Sequence, residues 1–210
     1  MQFFDRKDID KFDRIHKINL MNSLSGYKSA NLLGTVSPEG QENVAVFSSI
    51  VHLGSAPPVL GFVLRPTTVP RNTYENIKST GFYTVNHICQ EITEDAHHTS
   101  AKYPKEISEF EMTNLTPEYK NDFKAPFVKE SPVQIGLKYL EEYYIKANDT
   151  LLIVGEIQFF YVQEQMLEAD GFLNLSKGKV ATINGLDGYA IPDSTTRYAY
   201  QRPKQIVNKE

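Results

Sequence analysis

The run Arg71-Asn72-Thr73 stands at the start of a predicted short helix and carries residue types that bind phosphate. A helix N-terminus presents backbone N–H groups without partners and a partial positive charge. Arg71 can add a bidentate guanidinium, Asn72 or Thr73 can add a side-chain donor, and Arg65 lies close by in sequence. The alternative is that Asn72 only caps the helix and both arginines are solvated. The residues by themselves leave both interpretations open.

Two serines interrupt an apolar stretch at Phe47-Ser48-Ser49-Ile50. Successive side chains of a strand point to opposite faces, so one of the two hydroxyls points inward and needs a hydrogen-bond partner. A flat heteroaromatic ligand lying against the strand would be one such partner. The neighbouring backbone is the other, and without further information it is the favoured interpretation.

The histidine and cysteine residues predict little further chemistry. His52 ends the same stretch and is interpreted as a structural group. The adjacent His97 and His98 cannot easily bind one metal from a regular element, and no His-Glu-x-x-His spacing occurs, so we expect no metal site. Cys89 shares a predicted strand face with His87, but no third group would orient the pair. We therefore interpret Cys89 as a small buried residue.

The elements that must position these residues are mostly strands. Apolar stretches bounded by turn signals predict strands at Ser29–Ser37, Asn43–Leu53, Val59–Leu64, Phe82–Ile88, Val133–Ile145, Thr150–Gln163 and Val180–Ile183. Turn residues at Pro38-Glu39-Gly40 and at Asn148-Asp149 predict two hairpins. About six or seven strands with only short helices favour an antiparallel barrel or sandwich. No G-x-G-x-x-G or G-x-x-x-x-G-K-[ST] motif occurs, so we do not expect a dinucleotide-binding Rossmann domain.

One helix is predicted over Thr73–Thr80. Asn72 is expected as its N-cap and Glu75, three residues later, as the capping-box partner. Gly81 follows as a residue able to take the left-handed conformation that ends a helix. A helix this short is marginal in isolation and must be held by packing.

Two further segments complete the organisation of the chain. The polar segment Glu91–Ser131 is too long for an inert connection, so we expect it to pass over a functional site. Residues 1–25 are interpreted as an amphipathic N-terminal segment and not as a separate domain. We therefore expect a single domain over residues 1–210.

The composition is that of an ordinary globular protein. Hydrophobic residues make up 40% of the 210 residues and charged residues 23%, which excludes collagen-like, coiled-coil and disordered classes. A net charge of −4 gives no electrostatic reason to bind nucleic acid or an anionic membrane. A single cysteine cannot form an intramolecular disulfide. We find no signal-peptide core and no run approaching the roughly 18 apolar residues of a spanning helix, and expect a soluble, cytoplasmic protein.

Taken in order, several stretches resemble the flavin reductase-like family of FMN-binding split barrels, and most closely its flavoredoxin-type members. The stretches are Asn43–Ile50 (NVAVFSSI), Pro57–Phe62 (PPVLGF), Arg71–Ile77 (RNTYENI), Gly81–Asn86 (GFYTVN), His97–Phe110 (HHTSAKYPKEISEF), Ala125–Ser131 (APFVKES), Gly155-Glu156 and Gly185–Tyr189 (GLDGY). No one of these motifs is diagnostic, but their order and spacing together are fairly specific, and they cover most of the chain.

The resemblance implies a mainly β fold with short helices, a six-stranded antiparallel split barrel, and a homodimer that holds FMN near the subunit interface. It places the phosphate beside Arg71-Asn72-Thr73 and the flavin ring along the strand at residues 45–49. Many relatives carry Lys-Asp-Thr where this chain has Arg71-Asn72-Thr73, and arginine keeps the charge that complements the phosphate. With Arg65 added because it lies close by in sequence, the expected cofactor-binding residues are Asn31, Leu32, Ala45, Val46, Phe47, Ser48, Ser49, Arg65, Arg71, Asn72, Thr73, Thr99 and Ser100.

Three functions remain open at this point. The first is an NAD(P)H-dependent flavin reductase in which hydride passes to bound FMN, with His52 or His98 bordering the flavin. The second is an FMN-bound electron carrier that a partner protein reduces. The third is a barrel that binds a different small molecule, with Arg71-Asn72-Thr73 as an ordinary helix start. Hydride transfer requires no general base, which agrees with the absence of an acid–base pair in the sequence.

Overall fold

The computed structural model of the chain describes residues 1–66, 68 and 71–203. Across these residues the strands are β1 (Lys28–Ser29), β2 (Asn31–Val36), β3 (Glu42–Phe47), β4 (Ile50–Ser55), β5 (Pro58–Leu64), β6 (Phe82–His87), β7 (Pro117–Glu118), β8 (Phe127–Val128), β9 (Val133–Ile145), β10 (Thr150–Val162), β11 (Thr182–Asn184) and β12 (Gly188–Ala190). The α-helices there are α1 (Arg6–Lys11), α2 (Arg14–Leu24), α3 (Asn72–Thr80) and α4 (Thr93–His98).

The main sheet has the strand order β3-β2-β6-β9-β10-β5-β4, and its neighbouring strands are antiparallel. Strands β3 and β4 are therefore the two opposite edges of the sheet, although only Ser48 and Ser49 separate them in the chain. Three Cα–Cα steps of about 3.8 Å cannot cross an open sheet of this width. The sheet must curl until its edges approach each other without pairing, which is the geometry of a split barrel.

This closure corrects one prediction. The stretch Asn43–Leu53 is expected to form one strand, but it forms β3 and β4 with a break at Ser48-Ser49. The apolar pattern continues through the break, where Ile50 at the start of β4 packs on the same core as Phe47 at the end of β3. Among the described residues the main sheet therefore has seven strands, where the resemblance implies a six-stranded barrel.

The two predicted hairpins are confirmed. Strands β9 and β10 are 13 residues each and pair from Thr150↔Ile145 to Val162↔Val133. Asp149 takes the left-handed conformation in their turn, with φ 57°. The β2–β3 hairpin turns at Gly40, which has φ 91° and donates its N–H to the carbonyl of Ser37.

Large apolar side chains fill the barrel. The buried set is Leu33, Phe62, Leu64, Ile77, Tyr83, Val85, Leu137 and Ile153. Phe62 makes edge-to-face contacts with Phe47 and Tyr83 at centroid distances of 5.2 and 5.7 Å. Ile77 belongs to α3, so the helix lies over the barrel interior. Buried Asn76 Nδ2, also on α3, donates to Thr35 Oγ1 on β2 at 3.1 Å and fixes the helix there.

The segment Glu91–Ser131 covers the outer face of β2, β3 and β6. Its carbonyl at Pro126 accepts from Thr84 Oγ1, and its amide at Val128 donates to Asn86 Oδ1 at 3.1 Å. Gly34 of β2 lies under this contact, where an added Cβ would overlap the Pro126 carbonyl oxygen. Glycine is therefore required at position 34 for the segment to sit this close.

The chain ends lie outside the barrel. Helices α1 and α2 contain no buried residue. The strand predicted at Val180–Ile183 is present as β11, shifted to Thr182–Asn184, and it pairs with β1 and β12 in a small separate sheet. Within residues 1–66, 68 and 71–203, no helix is long and apolar enough to cross a membrane.

Candidate functional site

Helix α3 begins one residue earlier than its sequence suggests. Arg71 is the N-cap, with extended φ −132° and ψ 97°, and Asn72 is already helical. The prediction of Asn72 as N-cap with a capping box to Glu75 is therefore wrong, because a capping side chain must stand on the non-helical residue. Glu75 instead accepts from Lys105 Nζ at 3.0 Å. Within the described chain no side chain caps α3, so its first-turn amides remain available as donors.

Arg71 adds a buried donor at the same N-terminus. Its Nε is buried and has no hydrogen-bond acceptor among the described residues. An anion bound here would satisfy this nitrogen and the first-turn amides together. Arg65, which follows β5, is exposed. The donor set around Arg71 therefore fits a phosphate group.

Thr73, the second residue of α3, is buried and joins a chain of side chains that reaches the covering segment. Thr73 Oγ1 donates to Asn43 Oδ1 on β3 at 3.2 Å. Asn43 Nδ2 in turn donates to Glu109 Oε2 at 2.6 Å, and the same oxygen accepts from the Val44 amide at 3.2 Å. Burial raises the pKa of Glu109, while the donors from Val44 and Asn43 oppose that shift. The N-terminus of α3 is thus tied to β3 and, through β3, to Glu109.

The two serines occupy the crossing between the barrel edges. Ser49 Oγ donates to the Val63 carbonyl at 3.0 Å and accepts from the Val63 amide at 3.2 Å. The hydroxyl of Ser49 therefore bonds the backbone of β5. This agrees with the prediction that one serine of the pair binds neighbouring backbone. Ser48 beside it is partly exposed.

The strand residues expected near the flavin fall on two faces of the sheet. Asn31 pairs with Phe47 across β2 and β3, and Phe47 packs on the core inside the barrel. Ala45 shares this inner face because it is two residues from Phe47. Leu32 and Val46 pair with each other and pack on the outer core under the covering segment. Side chains from both sets cannot face the same ligand, so one set could contribute only through its backbone.

His87 is a residue of this region that the sequence pattern does not single out for the site. It is the cross-strand partner of Asn31 on β6. His87 Nδ1 and Asn31 Oδ1 are both buried without a hydrogen-bond partner in the part of the chain that the structure describes. Burial lowers the pKa of His87 to about 4, so its ring is neutral at pH 7.

The remaining predicted site residues are dispersed. His52 lies on the exposed edge strand β4, with its Nε2 3.3 Å from Ser55 Oγ. Thr99 directly follows α4, which lies against β3, and its buried hydroxyl donates to the Ala96 carbonyl at 2.8 Å. Ser100 and His98 beside it are exposed.

The chemistry of Cys89 is limited. Strand β6 ends at His87, and Cys89 lies beyond it, buried, with its Sγ 3.7 Å from the Glu130 carbonyl. Burial raises the pKa of the Cys89 thiol, in agreement with its interpretation as a small buried residue. Among the described residues, no group of three or more His, Cys, Asp or Glu side chains is arranged to hold a metal.

Two open surface clefts lie elsewhere, with volumes of about 400 and 230 Å³. The larger is lined by residues including Cys89, Glu91 and Lys179, and the smaller by residues including Lys120 and Ser131. Neither contains a residue expected to bind the cofactor. We place the candidate site at Arg71, because the donors there suit a phosphate group, whereas the residues that line the two clefts indicate no particular ligand.

Asn43 and Glu109 are functional candidates that sequence reasoning misses. Both fall inside stretches that carry the family resemblance, but no local pattern singles out either one. Glu109 lies 66 residues from Asn43, so nothing in the neighbouring sequence connects them. What marks Glu109 is visible only in the structure, where it lies between buried Ser108 and Phe110 and accepts from Asn43.

Comparison with known proteins places the chain in a family. Residues 24–184 match the flavin reductase like domain. An uncharacterized protein of Aquifex aeolicus (strain VF5) is 31% identical over 158 residues, which cover 74% of this chain and 79% of that protein. A solved structure from Shewanella frigidimarina NCIMB 400, named provisionally as a flavin reductase with a split barrel domain, is 44% identical. It matches with a TM-score of 0.92 over 96% of this chain and 100% of its own.

A more distant structure has the same fold. The flavoredoxin of Desulfovibrio vulgaris (Miyazaki F) matches with a TM-score of 0.72 at 23% identity, over 83% of this chain and 92% of its own. The strand order, the closure at Ser48-Ser49 and the match over most of the sequence agree with one another. The chain belongs to the flavin reductase-like family and has its mainly β, split-barrel fold.

Proposed function

We propose that this protein is a flavoprotein oxidoreductase that binds FMN and passes hydride from NAD(P)H to it. The observation that carries the proposal is the buried Nε of Arg71, which has no hydrogen-bond partner among the described residues and lies on the N-cap of a helix that no described side chain caps. Membership of the flavin reductase-like family supports the same cofactor.

Each part of the site has a distinct role in this proposal. Arg71 and the amides of Asn72 and Thr73 hold the phosphate through charge-assisted hydrogen bonds. The crossing at Ser48-Ser49 places backbone and small side chains against the ring, as the family resemblance implies. Ser49 shapes this crossing through its bonds to Val63, whereas the Ser48 hydroxyl is partly exposed and has no hydrogen-bond partner among the described residues.

Bound flavin supplies the redox chemistry, and the protein supplies its position and its electrostatic surroundings. No residue needs to act as a general base for hydride transfer. His52 on β4 and His98 on α4 are proposed to border the space for the nicotinamide. The inner-face residues Asn31 and Phe47 and the segment at Thr99-Ser100 are proposed to approach the cofactor.

We further propose a single domain over residues 1–210 that forms a cytoplasmic homodimer. The edge strand β4 supports dimerisation, because Val51 and Leu53 each leave 44% of their surface exposed there. An edge strand presents unpaired backbone N–H and C=O groups, and exposed apolar side chains along it favour pairing with another chain. Sedimentation equilibrium tests this directly, and a mass near that of one chain contradicts it.

The first test of the function is the visible absorption spectrum of freshly purified protein, with mass spectrometry of the heat-released ligand. A yellow protein that releases FMN supports the proposal. A colourless protein that also ignores added FMN contradicts it and leaves a barrel for another ligand.

Anaerobic titration with NADH and NADPH then separates the reductase from an electron carrier. Both functions use the same binding residues, so only reduction by the nucleotide distinguishes them. Bleaching of the flavin absorbance at micromolar nucleotide supports the reductase. Unchanged absorbance with both nucleotides supports a carrier that a partner protein reduces.

A further inference from the structure

The hydrogen-bond chain Glu109–Asn43–Thr73 has a direction that its chemistry determines. Glu109 Oε2 accepts from the Val44 amide, so it is an acceptor at that position. Asn43 must then present its Nδ2 to the carboxylate and its Oδ1 to Thr73. Thr73 has a single hydroxyl hydrogen, and it is donated to Asn43.

This direction changes the role of Thr73 at the proposed phosphate site. A phosphate oxygen accepts hydrogen bonds, and the Thr73 hydroxyl has no further hydrogen to donate while it bonds Asn43. The Thr73 side chain therefore fastens the first turn of α3 to β3. Its backbone amide remains the donor that can reach an anion.

Glu109 extends this fastening to the covering segment. Its carboxylate is partly buried, and two donors from β3 converge on one of its oxygens. Strand β3 leads directly into the crossing at Ser48-Ser49, and α3 starts at Arg71. The three side chains thus hold the first turn of α3, and with it Arg71, in place relative to the barrel.

We propose that Glu109 and Asn43 are positioning residues for the phosphate of FMN. They act through Thr73 and the first turn of α3, and neither touches the cofactor. This inference rests on the proposed function, since it assumes that FMN is the ligand. It assigns the covering segment a part in cofactor binding through a residue remote from the site in sequence.

The test compares FMN with riboflavin, which has the same ring and no phosphate. Glu109→Ala removes the acceptor, whereas Glu109→Gln keeps an amide oxygen able to accept from Asn43 and Val44. Both variants lose the same negative charge, so their difference isolates the hydrogen bonds. Affinities are measured by flavin fluorescence titration of the full chain.

We expect Glu109→Ala to weaken FMN binding about tenfold relative to Glu109→Gln, with riboflavin affinity equal in the two variants. Asn43→Ala should weaken FMN to a similar extent, and Glu109→Ala should add little in the Asn43→Ala background. Equal FMN affinity in the Ala and Gln variants overturns the proposal. A parallel loss of riboflavin affinity also overturns it, because the chain would then support the barrel in general.

The failure of the proposed function has a different signature. If the wild-type chain binds neither FMN nor riboflavin, both the proposed FMN-dependent function and this inference are contradicted. If the wild-type chain binds FMN more tightly than riboflavin but the ratio is unchanged in Glu109→Ala and Asn43→Ala, the inference alone falls.

Discussion

Ser49 and Val63 form a two-bond clasp between the crossing and strand β5. The Ser49 hydroxyl both donates to the Val63 carbonyl and accepts from its amide, at 3.0 and 3.2 Å. Strand β4 pairs with β5 from Ile50 onward, so Val63 lies one residue beyond the point where that ladder starts. The side chain of Ser49 therefore replaces the backbone partner that Val63 loses where the chain turns towards β3.

Replacement of Ser49 by Ala should destabilise the protein through this clasp. The variant leaves the amide and the carbonyl of Val63 without their partner, at a cost of about 1–3 kcal/mol in the free energy of unfolding. Urea denaturation followed by circular dichroism measures the loss. Ser48→Ala is the matched control and should lie within about 0.5 kcal/mol of wild type. An equal loss of unfolding free energy in the two variants would show that the hydrogen bonds between Ser49 and Val63 do not stabilise the protein.

Removal of Arg71 should weaken FMN binding through the phosphate alone. Arg71→Ala is expected to cost about 1.5–3 kcal/mol of FMN binding free energy for each charge-assisted hydrogen bond that it removes, with riboflavin affinity unchanged. Arg71→Lys keeps the positive charge but lacks the planar guanidinium group. Its FMN affinity should therefore lie between those of wild type and Arg71→Ala. Isothermal titration calorimetry checks these values. An unchanged FMN affinity in Arg71→Ala would favour a barrel for a ligand other than flavin.

A second cluster holds the same helix to the barrel wall. Glu142 of β9 accepts from Tyr74 on α3 at 2.9 Å and from Tyr139 at 3.1 Å, and Lys78 donates to Tyr139 at 2.9 Å. The pKa of Tyr74 is raised by burial and by its bond to Glu142.

Glu142→Ala should therefore lower the free energy of unfolding by about 1–3 kcal/mol, because the hydroxyl groups of Tyr74 and Tyr139 lose their acceptor. Thermal unfolding measures the change. Glu141→Ala is the control, since Glu141 is exposed and adjacent in the strand. If the two variants melt at the same temperature, the cluster does not stabilise α3.

His87 should make stability depend on pH in acid. Its folded pKa is about 4, below the ordinary value of 6.5, so the unfolded chain binds the proton more readily. The stabilisation is complete above pH 6.5 and is lost as pH falls towards 4, by up to about 3 kcal/mol.

Urea denaturation of wild type and His87→Gln between pH 4 and 7.5 isolates this contribution. Other titrating groups are common to both proteins, so the difference between their unfolding free energies should change across this window. A difference that stays constant with pH would show that His87 is protonated as easily in the folded protein as in the unfolded one.

Several features follow from the sequence because their causes are local. The turn residues and long apolar strands of the β9–β10 hairpin predict it correctly, and Gly81 ends α3 with φ 77° as expected. The donor types at Arg71-Asn72-Thr73 are also legible in the sequence, but the anion site that they predict stays a prediction. The predicted helix start is wrong by one residue, because Asn72 is a common capping residue and the sequence does not record that Arg71 is the residue with extended backbone.

The rest depends on contacts between distant parts of the chain. The break at Ser48-Ser49 follows from barrel closure, which places consecutive strands on opposite edges of one sheet. The direction of the Glu109–Asn43–Thr73 chain needs three segments brought together by the fold. Local patterns determine which residues can form strands, turns and donors. Only the tertiary structure decides which side-chain hydrogens are already donated within the protein. The partner of Asn43 lies 66 residues away, so the sequence around Asn43 does not indicate it.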